Sequence, residues 1–198
     1  MEKKFELTDK FVFNTFGIKL FQIKCTKSFK YAKEGDLGGY VEKDENLDQE
    51  SDAWVYGNAQ VCGNARVYGN AQVCGNARVY GNAQVCGNAW VYDDAQVYGD
   101  AWVYGDAWVY GNAQVCGNAD IENDNNHCGF DCFGSCNRHT HAYLTKDNKV
   151  EITCGCFRGS IEEFEKKVEK THSGKIYEKQ YKAIINAIKI KFGLTDLI

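Results

Sequence analysis

The densest reactive chemistry in the chain is the run Cys128-x3-Cys132-x3-Cys136-x2-His139-x-His141, followed by Cys154-Gly155-Cys156. Thiolates and imidazoles are the usual ligands of tetrahedral zinc, and residues this close in sequence can wrap one ion. Cys128, Cys132, Cys136, His139 and His141 are therefore candidate metal ligands, with zinc as the cofactor and Cys154 or Cys156 joining from a neighbouring strand. The spacing is not that of a finger built from paired C-x2–4-C knuckles. The competing reading is a set of free thiols in a small, Gly-rich packed segment with no cofactor. A second chemistry would use Cys154 or Cys156 as nucleophile and His139 or His141 as base. The sequence offers no orienting acid or oxyanion turn beside them.

The elements that would position these groups can be read on either side. A strand pair, Thr140–Leu144 and Val150–Cys154 across Lys146-Asp147-Asn148-Lys149, carries His141 and brings Cys154 alongside. Ser160 and Glu163 then make a capping box, and Ile161, Phe164 and Val168 form the apolar side of a helix that Gly174 stops. Tyr177, Tyr181, Ile184, Ile185, Ile188 and Phe192 mark a second amphipathic helix ending at Gly193. Residues 122–198 are thus expected to form a small α+β module, entered through the polar break Glu122–Asn126.

Before it runs a six-residue repeat, A-x-V-(Y/C)-G-(N/D), from Ala53 to Ala119, which Ile121 closes. A period of six does not fit a helix. Ala and Val two apart share one face of a strand, and Gly-Asn or Gly-Asp supplies a corner that can take positive φ. Each hexapeptide is a short strand and a turn whose buried face exists only when neighbours stack. The pattern resembles the left-handed parallel β-helix of hexapeptide-repeat proteins, and that resemblance implies a triangular prism with three hexapeptides per coil and about four coils over residues 49–121. Residues 1–48 would cap it with a β-hairpin, Phe11-Val12-Phe13 against Ile18–Ile23 across Gly17, and Val41 and Leu47 continue the six-residue register of Ala53. The fold class is mainly β.

Under that geometry residues eighteen apart share a face. Trp54 and Tyr56, Gln72 and Cys74, Trp90 and Tyr92, and Trp108 and Tyr110 fall on one of the three. Nothing about building a prism requires large aromatics outside, so Trp54, Tyr56, Trp90, Tyr92, Trp108 and Tyr110 are candidate binding residues. A plain ladder of strand-forming rings is the alternative. Cys62, Cys74, Cys86 and Cys116 alternate with Tyr at equivalent positions, where Cys acts as a small apolar residue.

Composition narrows the function classes. The chain has 198 residues, 20 Gly, no Pro, 12 Tyr, four Trp, ten Cys and a formal charge of −4. No Gly-X-Y period or long charged tract is present, which excludes collagen-like and disordered chains. No apolar run approaches the roughly 20 residues of a membrane-spanning helix, and the opening residues lack the apolar core of a secretion signal. A cytoplasmic protein with reduced thiols and no membrane partner is expected. Residues 50–120 carry a net −5 and residues 157–198 a net +3 with acids interleaved, so direct nucleic-acid binding is not expected. Asp93, Asp94, Asp100 and Asp106 could present negative charge to a nucleic-acid channel, or be ordinary solvated corners.

Lys33-x-Gly35-Asp36-Leu37-Gly38-Gly39-Tyr40-Val41 with Asn46-Leu47, leading into Ala-Trp-Val-Tyr-Gly-Asn repeats, is similar to a group of phage and prophage proteins. Ile152-Thr153-Cys154-Gly155-Cys156-Phe157-x-Gly159-x-Ile161-x-Glu163-Phe164 is similar to a C-terminal module recurring in them. The resemblance implies a site at Asn137, Arg138 and Thr140 beside Cys154 and Cys156. The reading taken is a non-enzymatic binding protein encoded by a phage or mobile element in a bacterial host cell, a rigid spacer whose α+β head engages a host protein or a small signalling ligand; by analogy with such elements, one use is inhibition of a CRISPR effector or a signalling-nucleotide pathway. Hexapeptide-repeat relatives imply a homo-oligomer, dimer or trimer. The rival classes are a divergent acyltransferase, a Cys/His metal-dependent enzyme, and a structural or assembly protein. Residues 49–126 contain neither the histidine nor the interrupting loop that the acyltransferases use.

Overall fold

The computed structural model describes residues 3–194. Between Trp54–Val55 and Asp120–Ile121 the hexapeptides form twelve strands, β4–β15, each two residues long. A strand this short has no stability of its own. Each gains it by parallel pairing with the equivalent strand one coil on: Trp54 with Gln72, Gln72 with Trp90, Trp90 with Trp108 on one wall, Gln60 with Arg78 on the second, Arg66 with Gln84 on the third. The chain is a β-solenoid with three walls, and the outward residues fall on the three faces expected from the repeat. Its interior is the Ala and Val of every hexapeptide, at zero exposure almost throughout.

Backbone groups close this stack from coil to coil. Trp54 N–H donates to the Ala71 carbonyl at 3.1 Å, and Trp90 N–H to the Ala107 carbonyl at 2.9 Å. The corners add ladders of side-chain amides, in which Asn70 donates to Asn88 and Asn88 to Asp106, both at 2.9 Å. Parallel ladders run from Asn64 through Asn82 to Asp100 and from Asn58 through Asn76 to Asp94. The three aspartates therefore sit on three separate corners, each bound to an amide, and do not gather on one face.

The N-terminal segment forms strands β1 (Phe5–Phe13), β2 (Lys19–Cys25) and β3 (Leu37–Val41). The expected hairpin is present as β1–β2, and β3 joins it to a wall of the solenoid, making a seven-stranded sheet. One expectation is corrected. Val41 pairs with Val61 and Leu47 bridges Val67, whereas Val55 pairs with Val73. The first coil is two residues longer than the others, and Val41 and Leu47 take the Val position, not the Ala position. Phe5 and Phe29 pack edge-on against Trp54 at 6.3 and 5.4 Å, burying it to 1% exposure.

After Ile121 a short 3-10 turn, Asp124–Asn126, leads into an antiparallel sheet of β16 (His127–Phe133), β17 (Arg138–Leu144), β18 (Val150–Cys154) and β19 (Phe157–Ser160), followed by α1 (Ile161–His172) and α2 (Ile176–Lys191). The expected strand pair is the centre of this sheet, and Ser160 caps α1 as its capping box predicts. The outer strands were not foreseen. One sheet face, with Cys128, Phe130, Ala142, Ile152 and Cys154, packs on the helices. The other covers the end of the solenoid, where Tyr143 joins the solenoid core. No helix among the described residues is long and apolar enough to cross a membrane.

Corner glycines make a direct test of the stacking. Gly87 has φ 66°, and a Cβ there would lie 2.7 Å from the Gly105 nitrogen of the next coil; Gly111 has φ 64° but open space around it. Gly111→Ala should cost about 1 kcal/mol, the left-handed penalty alone, and Gly87→Ala at least about 1 kcal/mol more, because two backbones are forced apart. Urea unfolding of the two variants checks the order.

Candidate functional site

A solenoid ends on backbone groups with no next coil to bond. At the last coil the turn Asp124–Asn126 and the C-terminal sheet that follows it supply missing partners, most of them side chains. Trp108 N–H, which in an inner coil would find an Ala carbonyl, donates to Asp124 Oδ1 at 2.9 Å. The Gln114 carbonyl accepts from Thr153 Oγ1 at 3.0 Å and faces His141 Nδ1 at 3.5 Å. The Tyr143 hydroxyl donates to Glu151 at 2.9 Å and lies 3.2 Å from Cys116 Sγ. Arg158 pairs with Glu151 and lies across Gly117, where any Cβ would meet its guanidinium. At the opposite end Lys4 Nζ donates to the Ser51 and Ala53 carbonyls at 2.6 and 2.9 Å, and burial pushes that amine down to about 8.

The same sheet face gathers three histidines. Strand alternation puts His139, His141 and Tyr143 on one side of β17, and the register sets Gly129 opposite His141 and His127 opposite Tyr143. His127 Nδ1 lies 3.0 Å from His141 Nε2. His127 Nε2 stands 3.5 Å from Asp124 Oδ1, and His139 Nδ1 is hydrogen-bonded to Asp131 Oδ1 at 2.7 Å. His127 Nε2 and His139 Nε2 are buried without a hydrogen-bond partner. The rings border a cavity of about 320 Å³ shared with Asp124, Asp131 and Tyr110. Burial lowers the pKa of His127 against the pull of Asp124. It lowers that of His141 further, with the neighbouring His127 and His139 adding to the effect. Both rings are therefore held neutral.

The mixed thiolate–imidazole centre expected from Cys128, Cys132, Cys136, His139 and His141 is not assembled. Cys128 sits one residue from His127 in a strand and so points to the opposite face, among the helices, where burial pushes its thiol up to about 11. Cys132 and Cys136 are exposed, and Cys154 is buried behind the sheet, accepting from Thr140 Oγ1 at 3.3 Å. Among the described residues no three His, Cys, Asp or Glu side chains already stand at metal-ligand spacing. His127, Asp124 and Asp131 were missed by the sequence reading, although His127-x3-Asp131 and His139-x-His141 both carry the even spacing that shares a strand face.

The other expected site residues separate in the same way. Thr140 is fully buried and cannot meet a ligand, whereas Asn137, at φ 47°, and Arg138 are exposed on the β16–β17 turn. Trp54 lies beneath the N-terminal segment, and Tyr56 is half-buried with its hydroxyl donating to the Tyr31 carbonyl at 3.2 Å. The aromatic stripe is thus reduced to the later coils. Trp90 stacks on Trp108 at 5.6 Å and Tyr92 on Tyr110 at 5.3 Å, with Tyr92 edge-on to Trp108. Trp108 and Tyr110 keep 46% and 53% of their surface exposed, and Tyr110 also lines the histidine cavity.

The YdcK β-solenoid repeat family matches residues 59–72, 71–87 and 95–111. All three segments lie in the walls, so the similarity is to the stacking unit and does not reach either end. No curated protein matches the chain.

Thiol reactivity reports this arrangement. Iodoacetamide applied to the native protein should label exposed Cys132, Cys136 and Cys156 rapidly and leave Cys128 and buried Cys154 unmodified until denaturant is added, as read by peptide mass spectrometry.

Proposed function

We propose that the protein is a non-enzymatic binding protein encoded by a phage or mobile element and acting in the cytoplasm of a bacterial host, where the solenoid holds a recognition surface rigidly. The observation that carries this reading is the ring ladder in which Trp90, Trp108 and Tyr110 are exposed and Tyr92 is half-buried between them. Trp and Tyr dominate the energetics of protein interfaces, and stacked rings fixed to a sheet lose little entropy on binding. The partner is a host protein or a small signalling ligand, and the use that suits such a device is inhibition of a defence system, either a CRISPR effector or a signalling-nucleotide pathway. Assembly as a dimer or trimer through part of the same face fits the surface equally well. The acidic corners give no support to imitation of nucleic acid, because Asp94, Asp100 and Asp106 are distributed around the coil.

A plating assay tests the reading. Expression in bacteria that carry a defined CRISPR or cyclic-nucleotide defence system should restore phage plating. Trp90→Ala combined with Trp108→Ala should abolish the restoration while shifting the melting temperature little, since both rings are exposed. Loss of two such anchors corresponds to about 2 kcal/mol or more, about thirtyfold in affinity. No restoration by the unsubstituted protein against either system would contradict the defence role, and an unchanged double variant would remove the aromatic face from it.

A further inference from the structure

The histidine cluster poses a problem of proton count. Asp124, His127, His141 and the Gln114 carbonyl form a line with gaps of 3.5, 3.0 and 3.5 Å. Each gap between acceptors needs one proton, and two neutral imidazoles carry only two between them. With those two in the outer gaps, His127 Nε2–H faces Asp124 and His141 Nδ1–H faces the Gln114 carbonyl. The 3.0 Å contact between His127 Nδ1 and His141 Nε2 then has no proton of its own, whereas a proton placed there leaves an outer nitrogen bare. His139 has the same polarity. Its Nδ1–H is taken by Asp131, which leaves a bare and buried Nε2 with no partner.

We propose that His127, His139 and His141 bind a first-row divalent metal ion such as zinc, through His127 Nδ1, His139 Nε2 and His141 Nε2. An ion suits the arrangement in which every inner nitrogen presents a lone pair, with His139 Nδ1 held by Asp131 at 2.7 Å and His127 Nε2 and His141 Nδ1 turned to Asp124 and the Gln114 carbonyl, each at 3.5 Å. Carboxylates and carbonyls in those outer positions fix the tautomer and raise ligand basicity, as around known metal-bound histidines. Two ligands on a tetrahedral zinc at about 2.0–2.1 Å stand about 3.3 Å apart, near the 3.0 Å between His127 and His141. His139, its ring centroid 5.7 Å from that of His141, is not yet at ligand spacing and completes the set by a turn of its ring. Three neutral imidazoles suit zinc, nickel or copper over the oxygen-seeking calcium and magnesium. The cavity beside Tyr110 leaves the fourth position open to water or a small ligand. The thiols of Cys132 and Cys136 have no part in this set, and the proposal does not depend on what the aromatic ladder binds.

The test uses full-length protein without an affinity tag, stripped with chelator and then titrated with zinc by calorimetry and with cobalt by visible absorption. One ion per chain is expected, with the cobalt spectrum of a nitrogen-ligated site of low coordination number. His139→Ala should weaken binding at least about tenfold, Asp131→Asn about tenfold through the lost anchor, and Cys132→Ser combined with Cys136→Ser should leave it unchanged. Circular dichroism of the metal-free variants controls for folding, and Asp131→Asn carries the test if His139→Ala does not fold. No ion bound by the unsubstituted protein would overturn the proposal, leaving a shared proton in the 3.0 Å gap. Binding that survives both His139→Ala and Asp131→Asn, or that disappears with the two cysteines, would overturn it as well.

Discussion

Everything in this molecule depends on the hydrogen-bond ladder that runs from coil to coil. Two-residue strands and an Ala/Val interior cannot hold a shape singly, so each coil is stable only as a neighbour of another. The ladder then has two ends, and each would expose unpaired backbone and a bare apolar section. The chain resolves this with side chains of the right polarity at each end. A lysine donates to carbonyls of the first coil, and at the last an aspartate accepts from an amide while a threonine donates to a carbonyl. The covers are built from ordinary antiparallel strands, which can supply such groups because they need not obey the hexapeptide pattern.

The polar face of the C-terminal cover does more than close the ladder. A sheet laid against a coil end must present hydrogen-bonding groups there, and groups of that kind, packed together out of water, are also the raw material of a binding site. Thr153 and Tyr143 are fully used by the junction. The histidines are not, and their unpartnered nitrogens open on a cavity whose rim includes the last ring of the aromatic ladder. The two candidate surfaces of the molecule therefore meet at Tyr110.

Much of this was legible in the sequence, and the parts that were not share a physical cause. The repeat determines strand, corner and inward face by short-range rules, so the three walls and their outward residues follow from counting. The capping box at Ser160 and the spacing of Ile184, Ile185 and Ile188 gave the helices for the same reason. What failed was long-range. Trp54 obeys the repeat but is covered by Phe5 and Phe29, far away in the chain. The two-residue expansion of the first coil is visible only through the pairing of Val41 with Val61 and of Leu47 with Val67. At the Cys/His run, closeness in sequence pointed to one centre. Strand alternation instead sends Cys128 to the helices and His127 to the solenoid end. A reading of that run by even and odd positions, once β16 was recognised as a strand, would have separated them.

Amide hydrogen exchange, resolved residue by residue, tests the closure of the ladder most directly. The account predicts that Trp108 N–H, held by Asp124, is protected to about the same degree as Trp90 N–H inside the stack, and that Asp124→Ala accelerates exchange at Trp108 while leaving Trp90 protected. A Trp108 amide that exchanges freely in the unsubstituted protein, beside a protected Trp90, would mean that the last coil is left open there and that Asp124 does not close it.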